Sequence, residues 1–407
     1  MKKKIAFLGG GPEQVIAIRI ARELGYQTLV VDDNTLAPGR TEADEFISTR
    51  IKDVEGLISA LKPFNISGIC THASELSVET AAVACALGLP GISTASAELA
   101  TYKEKRIKCF AERGIFVPQN KILEYSAIFE EWTLAGKEIG YPLVVKPSNQ
   151  KGAVGVLRIQ NENELFVYYS TVRQDIYSKV YVFEQFIDGN QYSTETVLVN
   201  GHCLRHNFAY RHYAGMERFY PYLIEDGHSM PVSFSSGEKE SLIEAIEKSA
   251  KALGITDGII KGDLLIDKNG NVYVIEMASR SSGGRFADFV TPHQCGVQIL
   301  YALIQIAAGD TVAVETLQEK WNIGISQRFL FLPEGKTVTT IKNADIIRSM
   351  PNVLDVVFSA DFIKNRTQKK IVSHASRIGY VICRGATQQE ADANALTTCE
   401  LLINNME

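Results

Sequence analysis

Apolar and polar positions alternate in two neighbouring runs of the chain, IIKGDLLID and NVYVIEM, which a Lys-Asn-Gly segment separates. Alternation of this kind is typical of strands with one buried face, and Asn-Gly between two such runs is a strong hairpin signal. The pattern therefore predicts two antiparallel strands over residues 259–277. Asp263 and Glu276 each interrupt one of these apolar runs, and a buried carboxylate is costly without a positive partner.

The positive partner of this acid pair is open to two interpretations. Arg280 follows Glu276 by four residues, where the strand gives way to a Ser-Gly-Gly loop. Two carboxylates and an arginine at a loop mouth suit metal-bound phosphate chemistry, and Mg²⁺ prefers oxygen ligands. The alternative is a structural ion pair, Asp–Arg or Glu–Lys, on a half-exposed hairpin.

Strand and helix patterns alternate at the start of the chain. A short apolar run at residues 4–8 precedes three glycines, a helical pattern follows over residues 13–24, and TLVVDD comes next as a second strand. This order predicts a βαβ unit of the doubly wound kind. Gln14 stands where the dinucleotide fingerprint needs its third glycine, which argues against NAD or FAD. Residues 1–95 are predicted to form one small α/β domain.

A lysine-rich helix is predicted next, over about residues 96–113, and most of its charges are expected on a solvated face. The strand LVVKP carries Lys146 and leads into a loop that contains Gly152 and Gly155. Glycine loops let backbone N–H groups approach phosphate oxygens, and a lysine supplies a point charge. A mobile surface hairpin is the alternative for this segment.

The segment VYVFEQFIDGNQ predicts a strand that ends near Glu184, a bend, and a second strand that begins near Gln191. Backbone groups at such a bend could pair with a purine edge. Residues 210–230 are rich in rings and charges and lack a clear period, which is typical of a functional loop or lid. Short strands and turns follow from about residue 310, with no catalytic cluster apparent among them.

Composition excludes several classes of protein. The net charge of −5 gives no basic footprint for nucleic acid, and no apolar run approaches the roughly 20 residues of a membrane span. The apolar run at residues 5–8 is too short for the core of a signal peptide. The seven cysteines are scattered and without CxxC spacing, which favours reduced thiols and a cytoplasmic location.

In its ordered motifs the chain resembles the ATP-grasp superfamily, in the branch of carbamoyl phosphate synthetase, biotin carboxylase, the purine-pathway carboxylases and the L-amino-acid ligases. The motifs are the lysine helix, KPSNQKGAVGV, FEQFIDG and IEMASRSSGG. The resemblance implies an α/β fold, α+β in parts, with three units. They are a Rossmann-like domain at residues 1–95, a split ATP-grasp domain at 96–310 with a lid at about 115–183, and a small C-terminal domain at 311–407.

The resemblance also implies roles for individual residues. ATP would be bound by Lys103, Lys146, Gly152, Gly155, Glu184, Gln185, Ile187 and Gln191. Asp263 and Glu276 would hold Mg²⁺ or Mn²⁺, and Arg280 would face an acyl phosphate or its parent carboxylate. Lys261 shares a strand face with Asp263 and is expected to reach a phosphate or the acyl group, with a solvated position as the alternative.

Two positions depart from the family pattern. Ala278 stands where many members carry asparagine, and Gln191 stands where a ribose-binding glutamate is usual. The run E-x-A-x-R before Gly-Gly is similar to that of amino-acid ligases which make dipeptides.

The expected function is an ATP-dependent carboxylate–amine ligase that acts through an acyl phosphate on small polar substrates. No nucleic acid or membrane partner is expected, and a homodimer is possible. A carboxylase that forms carboxyphosphate and a nucleotide-binding regulator without catalysis are the alternatives.

Overall fold

The computed structural model describes residues 2–174 and 177–407, in which the strands form three separate sheets. The strands are β1 Lys4–Leu8, β2 Gln27–Asp32, β3 Glu45–Ser48, β4 Gly68–Cys70, β5 Asn120–Glu124, β6 Leu143–Pro147, β7 Leu157–Ile159, β8 Val180–Gln185, β9 Gly189–Val199, β10 His202–His212, β11 Gly227–Met230, β12 Gly258–Asp267, β13 Val272–Ala278, β14 Gly324–Leu330, β15 Val353–Phe358 and β16 Gly379–Gly385. The helices are α1 Gln14–Glu23, α2 Gly39–Glu42, α3 Val54–Leu61, α4 Ser77–Leu87, α5 Thr94–Thr101, α6 Lys103–Glu112, α7 Phe129–Ile139, α8 Glu162–Gln174, α9 Glu238–Leu253, α10 Thr291–Cys295, α11 Ile299–Ala307, α12 Ala344–Arg348, α13 Ala360–Asn365 and α14 Gln388–Asn404.

The first sheet is parallel, in the order β3-β2-β1-β4, and contains the predicted βαβ unit. The glycine turn after β1 is tight, and the backbone N–H of Gly10 donates to the Asp32 carboxylate at 2.7 Å. Gln14 is buried beside this turn, and its amide donates to the carbonyl of His72 at 2.6 Å. The Gln14 side chain therefore fills the space beside the turn that a glycine at this position would leave open for a dinucleotide.

A four-stranded antiparallel sheet, β5-β8-β6-β7, forms the predicted lid region together with α7 and α8. Trp132 is fully buried at its centre, with its ring 5.3 Å from that of Tyr181 and 5.0 Å from that of Phe183. Residues 148–156, termed the glycine loop below, connect β6 to β7.

The third sheet has eight strands in the order β13-β12-β9-β10-β11-β14-β16-β15, and every neighbouring pair is antiparallel. The predicted hairpin is β12 and β13, at one edge. Strand β11 lies inside the segment that was expected to be an aperiodic lid, where Arg211 pairs with His228 across β10 and β11. The segment lacks an apolar period because these polar side chains face a cavity rather than a core.

The predicted helix at residues 96–113 is two helices, because Tyr102 between them is extended, with φ −87° and ψ 119°. Lys105 and Lys108 of α6 are exposed as expected, but Arg106 is only 2% exposed. The Arg106 guanidinium donates to the carbonyl of Ala100 at 3.0 Å, so this cation belongs to the interior.

Two further expectations bear on the class of protein. Within the described residues, no helix combines the length and apolar character that crossing a bilayer requires. All seven cysteines lie in the described part of the chain, and each is a free thiol.

Candidate active site

The hairpin brings its two acids together as predicted, because Asp263 on β12 lies directly opposite Glu276 on β13. A bulge follows at once: Leu264 pairs with Val274, which leaves Ile275 without an opposing residue. A bulge re-aims the side chains beside it. Ile275 and Glu276 consequently both line the same cavity, although they are consecutive along one strand.

Two cations neutralise this acid pair in the structure. The Lys261 amine lies 2.8 Å from a Glu276 oxygen and also contacts Asp263, which confirms that Lys261 shares the strand face of the acids. The Arg211 guanidinium of β10 lies 2.8 Å from Asp263 Oδ2, the same oxygen that Lys261 contacts. The charge of Lys261 holds the pKa of Glu276 well below its usual range, although burial of the carboxyl opposes this shift.

The acid pair suits a hard divalent cation by its donor chemistry. Both side chains offer carboxylate oxygens, and the Ser193 hydroxyl lies 3.0 Å from Asp263, so the local donors are all oxygen. The Glu276 side chain is 33% exposed toward the cavity, whereas that of Asp263 is 11% exposed. A bound Mg²⁺ or Mn²⁺ would replace the contacts of Lys261 with these oxygens. Ala278, where the family often carries a further ligand, pairs directly with Lys261.

A cavity of about 390 Å³ extends from the acid pair to the lid sheet and the C-terminal strands. Its volume lies within the range of small-molecule sites. It is lined by all but one of the residues predicted for the site, namely Lys103, Lys146, Gly152, Glu184, Gln185, Ile187, Gln191, Lys261, Asp263, Glu276 and Arg280.

Gly155 is the exception, since it lines a neighbouring cavity behind the glycine loop. Its φ of +68° favours glycine, and a Cβ there would come within 2.8 Å of the Pro147 ring. The structure therefore gives Gly155 a role in the turn of the loop rather than in the wall of the main cavity.

Lys146 and Glu184 form a nearly buried ion pair at 2.6 Å on neighbouring strands of the lid sheet, with side chains 7% and 6% exposed. Both residues had been predicted to contact ATP, at the phosphates and at the adenine amino group. In the structure the two side chains neutralise each other. A ligand that contacts one of them therefore either adds to this ion pair or separates it.

The glycine loop is held over the cavity from two sides. The Lys103 amine donates to the carbonyls of Ser148 at 3.1 Å and Gln150 at 2.7 Å. The backbone N–H of His374 donates to the carbonyl of Gly152 at 2.9 Å. Burial lowers the pKa of Lys103 to about 8, which makes its charge sensitive to what occupies the cavity.

The N-terminal sheet holds the loop that carries Arg280. The Arg280 guanidinium pairs with Glu75, which follows β4 and also lines the cavity. His72 hydrogen-bonds the Ser281 hydroxyl at 2.8 Å, and the N–H of Gly284 donates to Glu13 at 2.9 Å. Sequence analysis missed Glu75, although its position at the carboxyl end of a parallel strand is where such sheets bind ligands.

A second charged cluster at the far end of the cavity was also missed. Glu225 lies 3.0 Å from Arg211, 3.4 Å from Arg377 and 3.7 Å from His228. Burial would raise the pKa of Glu225, but Arg211 and the other cations outweigh it and hold that pKa well below its usual range.

No residue after position 310 had been singled out, yet His374 and Arg377 both line the cavity. The polar run SHASR within the C-terminal segment was the available signal.

Comparison with known proteins agrees with this geometry. The family model described as "ATP-grasp domain" matches residues 139–289, and the model described as "L-amino acid ligase C-terminal domain 2" matches residues 328–403. The crystal structure of the L-amino acid ligase from Bacillus licheniformis superposes with a TM-score of 0.81 at 21% identity, covering 98% of this chain and 97% of that one. The predicted α/β fold of ATP-grasp architecture is thereby confirmed.

The curated relatives are matched over only part of their own length. The carbamoyl phosphate synthase large chain of Kocuria rhizophila is 26% identical over 84% of this chain, and the match spans 31% of that protein. The alanine–anticapsin ligase of Bacillus subtilis is 24% identical over 56% of this chain and 52% of its own length. The chain thus spans about a third of the first of these proteins and half of the second.

ATP-grasp ligases use ATP with Mg²⁺ or Mn²⁺, which are the cofactors that the sequence predicted. The segments that match the two family models follow one another along the chain, and each contains residues that line the cavity. The chain therefore contains an ATP-grasp domain at residues 139–289, followed at residues 328–403 by a segment that matches an L-amino acid ligase C-terminal domain.

Proposed function

We propose that this protein is an ATP-dependent carboxylate–amine ligase that activates a small polar acid, in the first instance an amino acid, as an acyl phosphate. One observation carries the proposal: the acid pair Asp263 and Glu276, the Lys146 amine and the Arg280 guanidinium all face one cavity beneath a glycine loop. Phosphoryl transfer requires mainly positioning of the reactants and neutralisation of charge, and acids that hold a metal, a lysine and an arginine supply both.

The nucleotide belongs at the end of the cavity that lies against the lid sheet. Lys103, Lys146 and the backbone of Gly152 are assigned to the phosphates. Glu184 and the backbone of Gln185 and Ile187 are assigned to the purine, and Gln191 to the ribose hydroxyls. The N–H of Gln185 already donates to the carbonyl of Gln119 at 2.8 Å, so the purine contacts are assigned to the Gln185 carbonyl and to the backbone of Ile187 in the bend after β8. Mg²⁺ bound by Asp263 and Glu276 would neutralise phosphate charge during transfer.

Activation is needed because a carboxylate repels nucleophiles. An oxygen of the acid takes the γ-phosphoryl group and ADP leaves; the amine nitrogen then bonds to the acyl carbon, phosphate departs and the amine loses a proton. Arg280 is assigned to the charge that builds up on the acyl phosphate. The intermediate must be kept from water, and the contacts of Lys103 and His374 with the glycine loop support this.

Charges of both signs line the cavity and favour zwitterionic substrates. Glu75 and Glu225 supply carboxylates, while Arg280 and Arg377 supply guanidiniums. An amino acid presents one group of each sign at a short fixed separation. The names of two relatives, L-amino acid ligase and alanine–anticapsin ligase, agree with this substrate class.

The test is a screen for ADP release over pairs of amino acids and other small acids and amines, with Mg²⁺ present. ADP release that requires both members of a pair, with a matching amide product by mass spectrometry, is the expected result. ADP release with bicarbonate and no organic acid would instead indicate the carboxylase alternative. ATP binding without turnover on any pair would indicate a nucleotide-binding regulator.

Nucleotide binding is expected to take up a proton above pH 8. Burial lowers the pKa of Lys103 to about 8 in the free protein, and a bound polyphosphate would raise it again. Below this pKa the amine is charged in both states, so affinity does not change with pH. Above it, affinity should fall by up to roughly tenfold per pH unit until the pKa of the complex is reached.

Calorimetry in two buffers of different ionisation enthalpy measures this uptake directly. Lys103→Met should abolish it, whereas Lys105→Met, at an exposed lysine of the same helix, should retain it. An unchanged proton uptake in Lys103→Met would assign the titration to another group.

A further inference from the structure

A second cluster of potential ligands lies on the face of the eight-stranded sheet away from the ATP cavity. It consists of Cys203 and His206 on β10 and Glu247 on α9, whose donor atoms lie within 4.8 Å of one another. His206 and the cavity-lining Arg211 differ by five positions on one strand and therefore point to opposite faces. We propose that these three side chains bind one transition-metal ion of the zinc class, independently of the nucleotide site.

Backbone geometry is what brings the two strand residues together. In a regular strand, residues three apart face opposite sides of the sheet. Here Cys203 pairs with Leu198 and Arg205 pairs with Val197, so Leu204 is an extra residue in a bulge. The bulge shifts the alternation by one, which places the Cys203 thiol on the same face as the His206 ring.

The histidine is oriented as a ligand by a buried neighbour. His206 Nδ1 lies 2.9 Å from the Thr196 hydroxyl, and Thr196 is fully buried on the adjacent strand β9. When that hydroxyl accepts from Nδ1, Nε2 carries the lone pair and is the ring nitrogen available to a metal. Metal-bound histidines usually have such a partner on the other ring nitrogen. The Nε2 atom is 3.9 Å from the Glu247 carboxylate, too long for a hydrogen bond.

The donor set selects the metal. Thiolate and imidazole ligands favour zinc and similar ions, whereas Mg²⁺ takes oxygen ligands. Donors around a tetrahedral zinc are about 3.5 Å apart, so the His206–Glu247 pair, at 3.9 Å, needs to close by about 0.4 Å and no pair by more than about 1.3 Å. The Glu247 side chain is 53% exposed and its carboxylate already lies beside the Cys203 thiol and the His206 ring, and water would complete the coordination. On binding, the Cys203 thiol releases its proton to solvent.

Such an ion would tie α9 to β10. Helix α9 packs against this face of the sheet through Leu242 and Ile246, in the same core as Phe208 of β10. A ligand from the helix and two from the strand would close a crosslink at the exposed end of that interface. The expected consequence is a gain in thermal stability on binding of the metal, in the absence of any nucleotide.

The experiment uses the full chain, stripped with a chelator and titrated with Co²⁺ and Zn²⁺ without ATP or Mg²⁺. One equivalent of Co²⁺ should give a thiolate-to-cobalt charge-transfer band that one equivalent of Zn²⁺ removes, and Zn²⁺ should raise the melting temperature. Cys203→Ser should lose the band. Thr196→Val keeps all three ligands and should weaken the Zn²⁺ affinity by about tenfold or more.

The matched control is Cys85→Ser, which removes an exposed cysteine on α4 and should leave the band and the stoichiometry unchanged. Glu247→Gln, at an exposed helix position, tests the site even if the strand variants fold poorly, and it should weaken binding. The proposal is overturned if Cys203→Ser retains the parental cobalt band, or if Glu247→Gln and Thr196→Val bind Zn²⁺ as tightly as the parent. Neither result bears on the ligase proposal, because no substrate is present.

Discussion

Glu276→Gln is expected to lower acid- and amine-dependent ADP release by roughly 10³-fold, since metal-based charge stabilisation supplies several kcal/mol. The substitution keeps the size of the side chain but removes the carboxylate that faces Asp263 and contacts Lys261. The dependence of the rate on Mg²⁺ should also shift to higher concentration, because one ligand of the cation is weakened. Initial rates measured across a Mg²⁺ series separate this effect from a loss of substrate binding.

The control for this substitution is Asp345→Asn, which neutralises a carboxylate whose side chain is 99% exposed on α12. It should leave both the rate and the Mg²⁺ dependence unchanged. Folding of each variant is checked by thermal melting. A Glu276→Gln protein that turns over at the parental rate would remove the acid pair from the proposed site.

Arg280→Met is expected to lower kcat by about 10²-fold or more while nucleotide affinity stays close to that of the parent. The reason is that Arg280 is assigned to the acyl phosphate, whereas Lys103 and Lys146 are assigned to the nucleotide. Arg280→Lys keeps the positive charge but loses the planar fork, so an intermediate loss is expected. Single-turnover ADP formation and ATP binding, measured on the same samples, distinguish the two assignments.

Glu75→Gln serves as the companion variant, because it keeps Arg280 and weakens the partner that orients it. A positioning role for Glu75 predicts a smaller loss of kcat than in Arg280→Met. Equal losses of ATP binding and of turnover in Arg280→Met would contradict its assignment and indicate a structural role for the arginine.

Local signals were enough to predict the hairpin and its acids. Asn-Gly at the turn and apolar alternation on both sides define β12 and β13, and the Asp267 carboxylate holds the turn by accepting the N–H groups of Asn269 and Asn271. The strand face shared by Lys261 and Asp263 follows from the same alternation. These features depend on residues close in sequence, which a pattern can report.

Long-range pairing was beyond such patterns. The burial of Arg106 depends on packing of α6 against residues far along the chain, because its guanidinium approaches the carbonyl of Met277 at 3.4 Å. The contribution of His374 and Arg377 depends on how β14 and β16 join β11. A single sequence gives the composition of these segments but does not show which strand each of them pairs with.

The order of the eight strands also limits how the molecule can open to admit a ligand. Backbone pairing, interrupted only locally by the bulges in β13 and β10, joins neighbouring strands from β13, with Glu276, to β16, which begins two residues after Arg377. These two ends of the cavity should therefore move as one rigid body. The lid strands β5 to β8 form a ladder of their own, so we expect entry and exit of nucleotide to occur by a hinge motion of that small sheet, with the glycine loop at its tip.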